Sequence, residues 1–378
     1  MNWTTDGAVK GIATTRRFAL SRMARLPVFG VVGAWILLVS TPSALASSGW
    51  ATAAPMPTAR STPAAATSPN GRIYTIGGDD GTNRLSTTEA YTPSTDSWST
   101  AASMPTARNA LAAALGQDRR IYAIGGFDES SSAVATVEAY MPSTDSWSTV
   151  APMPTARGAL AAATGLDGRI YALGGVGNGS VLNVMEAYTP STNSWATVAP
   201  MPTARWGVAA ATGLDGRIYA LGGCCPADNT AEAYSPGTNS WATLSPMPIT
   251  GDLLAAASGP DGRIYAIGGQ ADNGTTDGAT AAYSPVTNSW ASIAPMPTPC
   301  RGLAAATGKD GRIYAVGGTN GSGATQLSTL QIYDTGFSPP KPIPEVPRSI
   351  LLALAGGLGV IVVVVLRRAR LSASEKAS

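Results

Sequence analysis

Arg169-Ile170-Tyr171-Ala172-Leu173-Gly174-Gly175, followed by Met185-Glu186-Ala187-Tyr188-Thr189-Pro190-Ser191-Thr192-Asn193-Ser194-Trp195, decides the fold, because the chain repeats this sentence six times. The closing Trps are Trp50, Trp98, Trp147, Trp195, Trp241 and Trp290, spaced 46 to 49 residues apart. The Gly pairs are Gly77-Gly78, Gly125-Gly126, Gly174-Gly175, Gly222-Gly223, Gly268-Gly269 and Gly317-Gly318. Self-similarity with a period in the forties marks a repeat architecture and outranks any local propensity.

Working outward from that copy, Ala159–Thr164 is a run of small apolar residues, and Asp167-Gly168 is a hairpin turn. Residues 169–173 alternate as a second strand, Val184–Tyr188 gives a third, and Ser194–Val198 a fourth. Four short strands per repeat, six times over, predict the blades of an all-β propeller. Small residues suit the innermost strand, where blades taper toward the channel, and Trp suits the broad rim. Trp50 has no three strands before it, and Ile332-Tyr333 has no Trp after it. The segment around Trp50 is therefore expected to complete the last blade beside Leu330–Asp334 and remove an open edge.

Gly-Gly, then Tyr188, then Trp195 seven residues later is the pattern of a kelch repeat, and the chain resembles the kelch-repeat family across residues 47–337. The resemblance implies a six-bladed β-propeller that recognises a protein or glycan through loops on one face. Some kelch propellers are copper galactose oxidases, which need His ligands, and this chain has no His. Others are sugar mutarotases or isomerases, an alternative that would work through Asp252, Arg301 and carboxylates at the channel mouth. A passive structural surface protein is a third reading. No cofactor is called for, and the lack of His also removes Ser-His-Asp triads and His-ligated zinc.

The ends differ from the repeats. Arg16, Arg17, Arg22 and Arg25 precede the apolar run Pro27–Val39, and Ala44-Leu45-Ala46 offers a small-x-small cleavage site, so 1–46 reads as a signal peptide. Arg16-Arg17-Phe18 hints at a twin-arginine route. A Pro-rich stalk, 338–348, leads to Ser349–Leu366, eighteen residues without a charge. As a helix these would span about 27 Å, close to a hydrocarbon core of about 30 Å. Arg367, Arg368 and Arg370 open a short basic tail, 367–378, which places the propeller outside the membrane. The repeats hold 14 Lys/Arg against 20 Asp/Glu, so no nucleic-acid footprint is present.

Strand alternation puts the Asp-Gly and Pro-Ser-Thr turns on one face, which barely changes between copies. The other face carries the loops after Gly-Gly and the loops leading into each blade, which vary, and recognition favours variable loops on a rigid scaffold. Arg60, Arg108, Arg157 and Arg205 in the leading loops occur with Glu89, Glu138, Glu186 and Glu232. Copies five and six lose both together, carrying Gly251 with Ala281 and Cys300 with Gln331. Strands one and three lie about 9.6 Å apart, and Gly-Gly offers no side chain to block an Arg crossing between them. Four intra-blade Arg–Glu bridges are therefore predicted.

One residue beyond that Arg the copies disagree: Ser61, Asn109, Gly158, Trp206, Asp252, Arg301. Trp206, Asp252 and Arg301 form a candidate partner-binding patch, since Trp and Arg are favoured anchors. Cys224, Cys225 and Cys300 fall on the same face and join the candidate patch. Free thiols, a vicinal Cys224–Cys225 disulfide, or a bridge to Cys300 are all open from the sequence.

Overall fold

The computed structural model describes residues 49–337 except 225–228, 272–274, 277 and 322–324. The signal peptide, the stalk, the 349–366 span and the basic tail read from the sequence lie outside the described residues. Among the described residues no helix is long and apolar enough to cross a membrane.

Six four-stranded antiparallel sheets follow one another along the chain. In blade three the strands are Ala161–Thr164, Ile170–Leu173, Met185–Thr189 and Ser194–Thr197, each paired with the next. The innermost strands of successive blades touch in a closed cycle, so the sheets stand radially round a central channel. Along each innermost strand burial alternates: Ala161 and Ala163 are buried while Ala162 and Thr164 are partly exposed, here toward the channel. The second strand is buried on both faces, and Ile170, Tyr171, Ala172 and Leu173 show no exposure. This strand carries no polar side chain because neither face meets water.

The last blade is built from both ends of the domain. Ala304–Thr307, Ile313–Val316 and Leu330–Asp334 supply three strands, and Gly49–Thr52 supplies the fourth. Gly49 faces Asp334 and Trp50 faces Tyr333, as the repeat count predicts.

Every boundary between blades uses the same bonds. The Trp195 indole N–H donates to the Ala151 carbonyl of the preceding blade at 2.9 Å, and Trp50 donates to Ala294 at 2.8 Å to close the cycle. Tyr rings of neighbouring blades pair across all six boundaries, with centroids 5.3 to 5.8 Å apart. The Gly175 N–H donates to the Arg205 carbonyl of the next blade at 2.8 Å, and Gly318 donates to Arg60 at 2.9 Å.

At the variable end of the channel the backbone closes a ring of its own. The N–H of Thr62 donates to Gly302, Gly302 to Leu253, Leu253 to Gly207, Gly207 to Ala159, Ala159 to Ala110, and Ala110 to Thr62. All six sit at positive φ, including Thr62 (46°), Ala110 (48°), Ala159 (51°) and Leu253 (54°). The innermost strand of blade three accordingly begins at Ala161, two residues later than the composition suggests, because Ala159 is committed to this ring.

All four predicted bridges are present. Arg60–Glu89, Arg108–Glu138, Arg157–Glu186 and Arg205–Glu232 are 2.8, 2.7, 3.0 and 2.6 Å apart, with the Arg side chains completely buried. Each guanidinium also donates to backbone carbonyls of its own blade, such as Gly222 (2.7 Å) and Thr230 (3.1 Å) for Arg205. Burial lowers the basicity of these Args and the neighbouring Glu opposes that shift. The other carboxylate oxygen accepts from a Thr hydroxyl, for example Thr155 to Glu186 at 2.8 Å. The reason given for Gly-Gly needs correction. A Cβ on Gly174 would lie 2.6 Å from the Arg205 carbonyl and one on Gly175 2.7 Å from the Gly158 carbonyl. It is thus the backbone of the leading loops, together with φ of 63° and 100°, that demands glycine.

Blade six shows how the bridge is lost without penalty. Gln331 is buried and forms a two-way bond with Thr298, accepting from its N–H at 2.8 Å and donating to its carbonyl at 3.1 Å. Cys300 fills the space of the Arg. Breaking a buried pair by removing one partner costs about 3–5 kcal/mol, whereas replacing both with compatible groups is often nearly neutral. We therefore expect Glu186→Ala to destabilise by about 3–5 kcal/mol, and the pair Arg157→Cys with Glu186→Gln to cost clearly less than the sum of its single changes. Denaturant unfolding of the four proteins checks this, and additive losses would contradict it.

Candidate functional site

The residue after each bridging Arg marks the rim of the variable face. Ser61, Asn109, Gly158, Trp206, Asp252 and Arg301 form β-bridges to Asp79, Phe127, Val176, Cys224, Gln270 and Thr319, the residues just after Gly-Gly. Each rim residue is thereby fixed by backbone bonds at an equivalent register on its blade. Arg301, for instance, donates to Thr319 at 3.1 Å and accepts from it at 2.8 Å. Directly beneath lies the ring of backbone bonds, opening on a cavity of about 140 Å3 at the head of the channel.

The structure brings Trp206, Asp252 and Arg301 to matching rim positions on blades four, five and six, each partly exposed. Cys224 joins them, since its N–H donates to the Trp206 carbonyl at 2.9 Å. Cys225 lies outside the described residues. Cys300 does not belong to the patch. It is 1% exposed, a free thiol packed among Met296, Leu303 and Tyr265 in the core. It stands in the bridging Arg position, where the side chain turns inward, whereas the next residue turns out.

Phe127 is a rim residue that the sequence reading missed. Its ring lies over Gly158 of the next blade, where any Cβ would collide with it. The signal was available: Gly158 is the one glycine among the six rim positions, and Phe127 is an aromatic just after Gly-Gly. Phe127 therefore covers the blade-three position, next to Trp206 on blade four. One arc of the mouth is aromatic, and the following arc carries Asp252 and Arg301.

Charge is divided between the faces. On the unvarying face five turns pair Arg with Asp: Arg120–Asp118, Arg169–Asp167, Arg217–Asp215, Arg263–Asp261 and Arg312–Asp310. By position in the repeat that face holds eight Lys/Arg and eight Asp/Glu, and the variable face six against twelve. Of those six cations, five are in ion pairs: the four bridging Args, and Arg84 with Asp79. The whole negative excess of the propeller belongs to the variable face.

The kelch motif matches residues 60–105, 108–154, 157–202, 209–248, 254–297 and 300–337. The chain belongs to the kelch family. Among solved structures it is similar to that of YjhT, with a TM-score of 0.60 and 15% identity over 75% of this chain and 99% of that one. No curated protein matches it in sequence. With 711 solved chains sharing the likeness, the kelch fold alone does not select a function. Kelch propellers are common protein-interaction modules, and the site must supply the rest.

Burial pushes the Cys300 thiol up to about 12. Because the folded state disfavours the thiolate, this residue's share of stability is whole below the ordinary thiol value of 9.0 and is lost as pH rises toward 12. Iodoacetamide should leave Cys300 unmodified in the native protein near neutral pH and modify it once the chain is unfolded. Mass spectrometry of the Cys300 peptide reads the result, and rapid native labelling would refute the buried placement.

Proposed function

We propose that the protein is an exported, membrane-anchored binding module that captures a protein partner through its variable face. The observation that carries this is the shared exit of the two ends. Third strands run from the variable to the unvarying face, so Leu330–Asp334 ends on the latter, and Gly49 begins there opposite Asp334. An anchor at 349–366 would hold the unvarying face toward the membrane and turn the rim outward. A Pro-rich stalk of eleven residues at about 3.1 Å each would hold the ring roughly 34 Å off the membrane.

The chemistry of the partner follows from the rim. Asp80, Asp128 and Glu129 carry no ion pair among the described residues, and Asp228, Asp272 and Asp277 fall in the same loops by sequence. A surface that is acidic beside Trp206 and Phe127 suits a protein presenting basic and apolar side chains better than a neutral glycan. Rim carboxylates would speed association and make it sensitive to salt, while Trp206 supplies contact area.

A photo-crosslinking residue at Ser131, exposed on the variable face, should capture a partner on intact cells, and the same probe at Gly237, exposed on the unvarying face, should not. Trp206→Ala or Arg301→Ala should weaken that capture at least tenfold with the thermal midpoint unchanged, and added salt should weaken it further. Capture from Gly237 alone would reverse the orientation. Salt-insensitive retention of neutral sugars on a glycan array, lost in Trp206→Ala, would replace the protein by a glycan.

A further inference from the structure

We propose an anion-binding cleft on the unvarying face, at the boundary where blade six meets blade one, suited to a phosphate group. It rests on a break in the repeat that the partner-binding reading does not use. In blades two to six, the Arg that opens the second strand pairs with an Asp two residues before it. In blade one that Asp is Asn70, and Arg72 has no carboxylate partner among the described residues. The Asn70 side-chain oxygen accepts from the Ser68 hydroxyl and the Arg72 backbone N–H. The Arg72 guanidinium donates to the Ala90 carbonyl at 3.3 Å and to the Ser99 hydroxyl, and its Nε is buried without an acceptor. In Arg120, Arg169, Arg217 and Arg312 the same Nε donates to the turn Asp.

A second departure lies across the boundary. Where other blades carry Pro69, Gln117, Leu166, Leu214 and Pro260, blade six carries Lys309. Its stem lies over Gly71 of blade one, and its ammonium donates to the Pro69 carbonyl, a neutral acceptor. The corresponding Leu166 and Leu214 lie over Gly216 and Gly262 as apolar covers.

Arg72 and Lys309 line a cleft of about 310 Å3 together with Arg312, Asp310, Thr92 and Ser94. That is about ten times the ~30 Å3 share of a liquid water. Its carboxylate is already engaged, because Asp310 accepts from Arg312 and from the Tyr314 hydroxyl. The nearby Asp96 accepts from the Ala54 N–H and the Tyr91 hydroxyl. Two cations without carboxylate partners, a third beside them and two hydroxyl-bearing side chains make a pocket whose charge and donors call for an anion. Tetrahedral oxyanions match converging guanidinium, ammonium and hydroxyl donors. Free phosphate esters and phospholipid headgroups share that chemistry.

The test uses the full-length chain in a neutral detergent. Calorimetric titration with inorganic phosphate should show saturable binding at one site. Asn70→Asp, which restores the pair found in the other blades, and Lys309→Leu, which restores the residue of blades three and four, should each weaken binding at least tenfold. Both variants should melt in phosphate-free buffer as the parent does, since each residue is native elsewhere in the ring. Soluble short-chain phosphatidylglycerol that competes with phosphate, where phosphatidylcholine does not, would assign the site to anionic lipid headgroups. Phosphate binding that neither lipid displaces would assign it to free phosphate groups. Absence of phosphate binding, or binding that both variants retain at parental strength, would overturn the proposal.

Discussion

The interaction on which everything else depends is the boundary between neighbouring blades, repeated six times and closed on itself. A four-stranded sheet of these lengths cannot bury both faces of Ile170–Leu173 alone. It needs a blade on each side, so stability is a property of the closed cycle and of no single repeat. Each boundary joins the same parts: an indole N–H on a carbonyl, a Tyr pair, a Gly N–H on the carbonyl of the next leading loop, and a link in the backbone ring. The last boundary lies between residues more than two hundred positions apart, which is why Gly49–Thr52 must pair with Leu330–Asp334. Without that pairing blade six would end in an open edge strand.

The backbone ring at the channel mouth shows local conformation yielding to closure. Gly207 and Gly302 take positive φ at no steric cost, but Thr62, Ala110, Ala159 and Leu253 take it with a Cβ, at about 1–2 kcal/mol each. Each such residue gains one hydrogen bond across a blade boundary, of net worth about 0.5–1.5 kcal/mol. The two magnitudes are comparable, so the ring is sustained because the two adjoining blades over-determine it, which is the usual setting for a strained backbone. The turns at Asp96, Asp145, Asn193, Asn239 and Asn288 face less resistance, since Asn and Asp accept this region more readily. Their side chains cap a backbone N–H of the preceding blade, as Asn193 does for Ala151 at 2.8 Å.

Much of this was legible in the sequence, for one reason: a repeat supplies its own comparison. Six copies of Gly-Gly, Tyr and Trp specify the blades, and the joint loss of Arg and Glu from copies five and six exposed the four bridges before any geometry was known. The comparison worked less well where a residue's partner lies in another blade. Gly174 and Gly175 are glycines because of Arg205 and Gly158 backbone, and Gly158 is a glycine because of Phe127. Reading one copy at a time cannot show a constraint imposed by the next copy. Cys300 was misplaced for a related reason, since one residue of register separates the inward Arg position from the outward rim. The anion cleft was legible too, as Asn70 for Asp and Lys309 for Leu, but only once blade six was known to touch blade one.

Departures from the repeat concentrate near the closure. Blades five and six replace the Arg–Glu bridge, with Gly251 and Ala281 in one and Cys300 and Gln331 in the other. Blade six also carries Lys309, and blade one carries Asn70. A buried ion pair contributes specificity of arrangement more dependably than stability. Four bridged blades are enough to fix the register of a closed ring, since each boundary constrains the next. The remaining blades can then spend those positions on other chemistry without loss of the fold. That freedom falls where Asp252, Arg301 and Lys309 introduce charges that the other copies lack at those positions, one pair at the variable rim and one residue on the opposite face. The closure that the ring depends on is thus also the region where its sequence is least bound by the repeat.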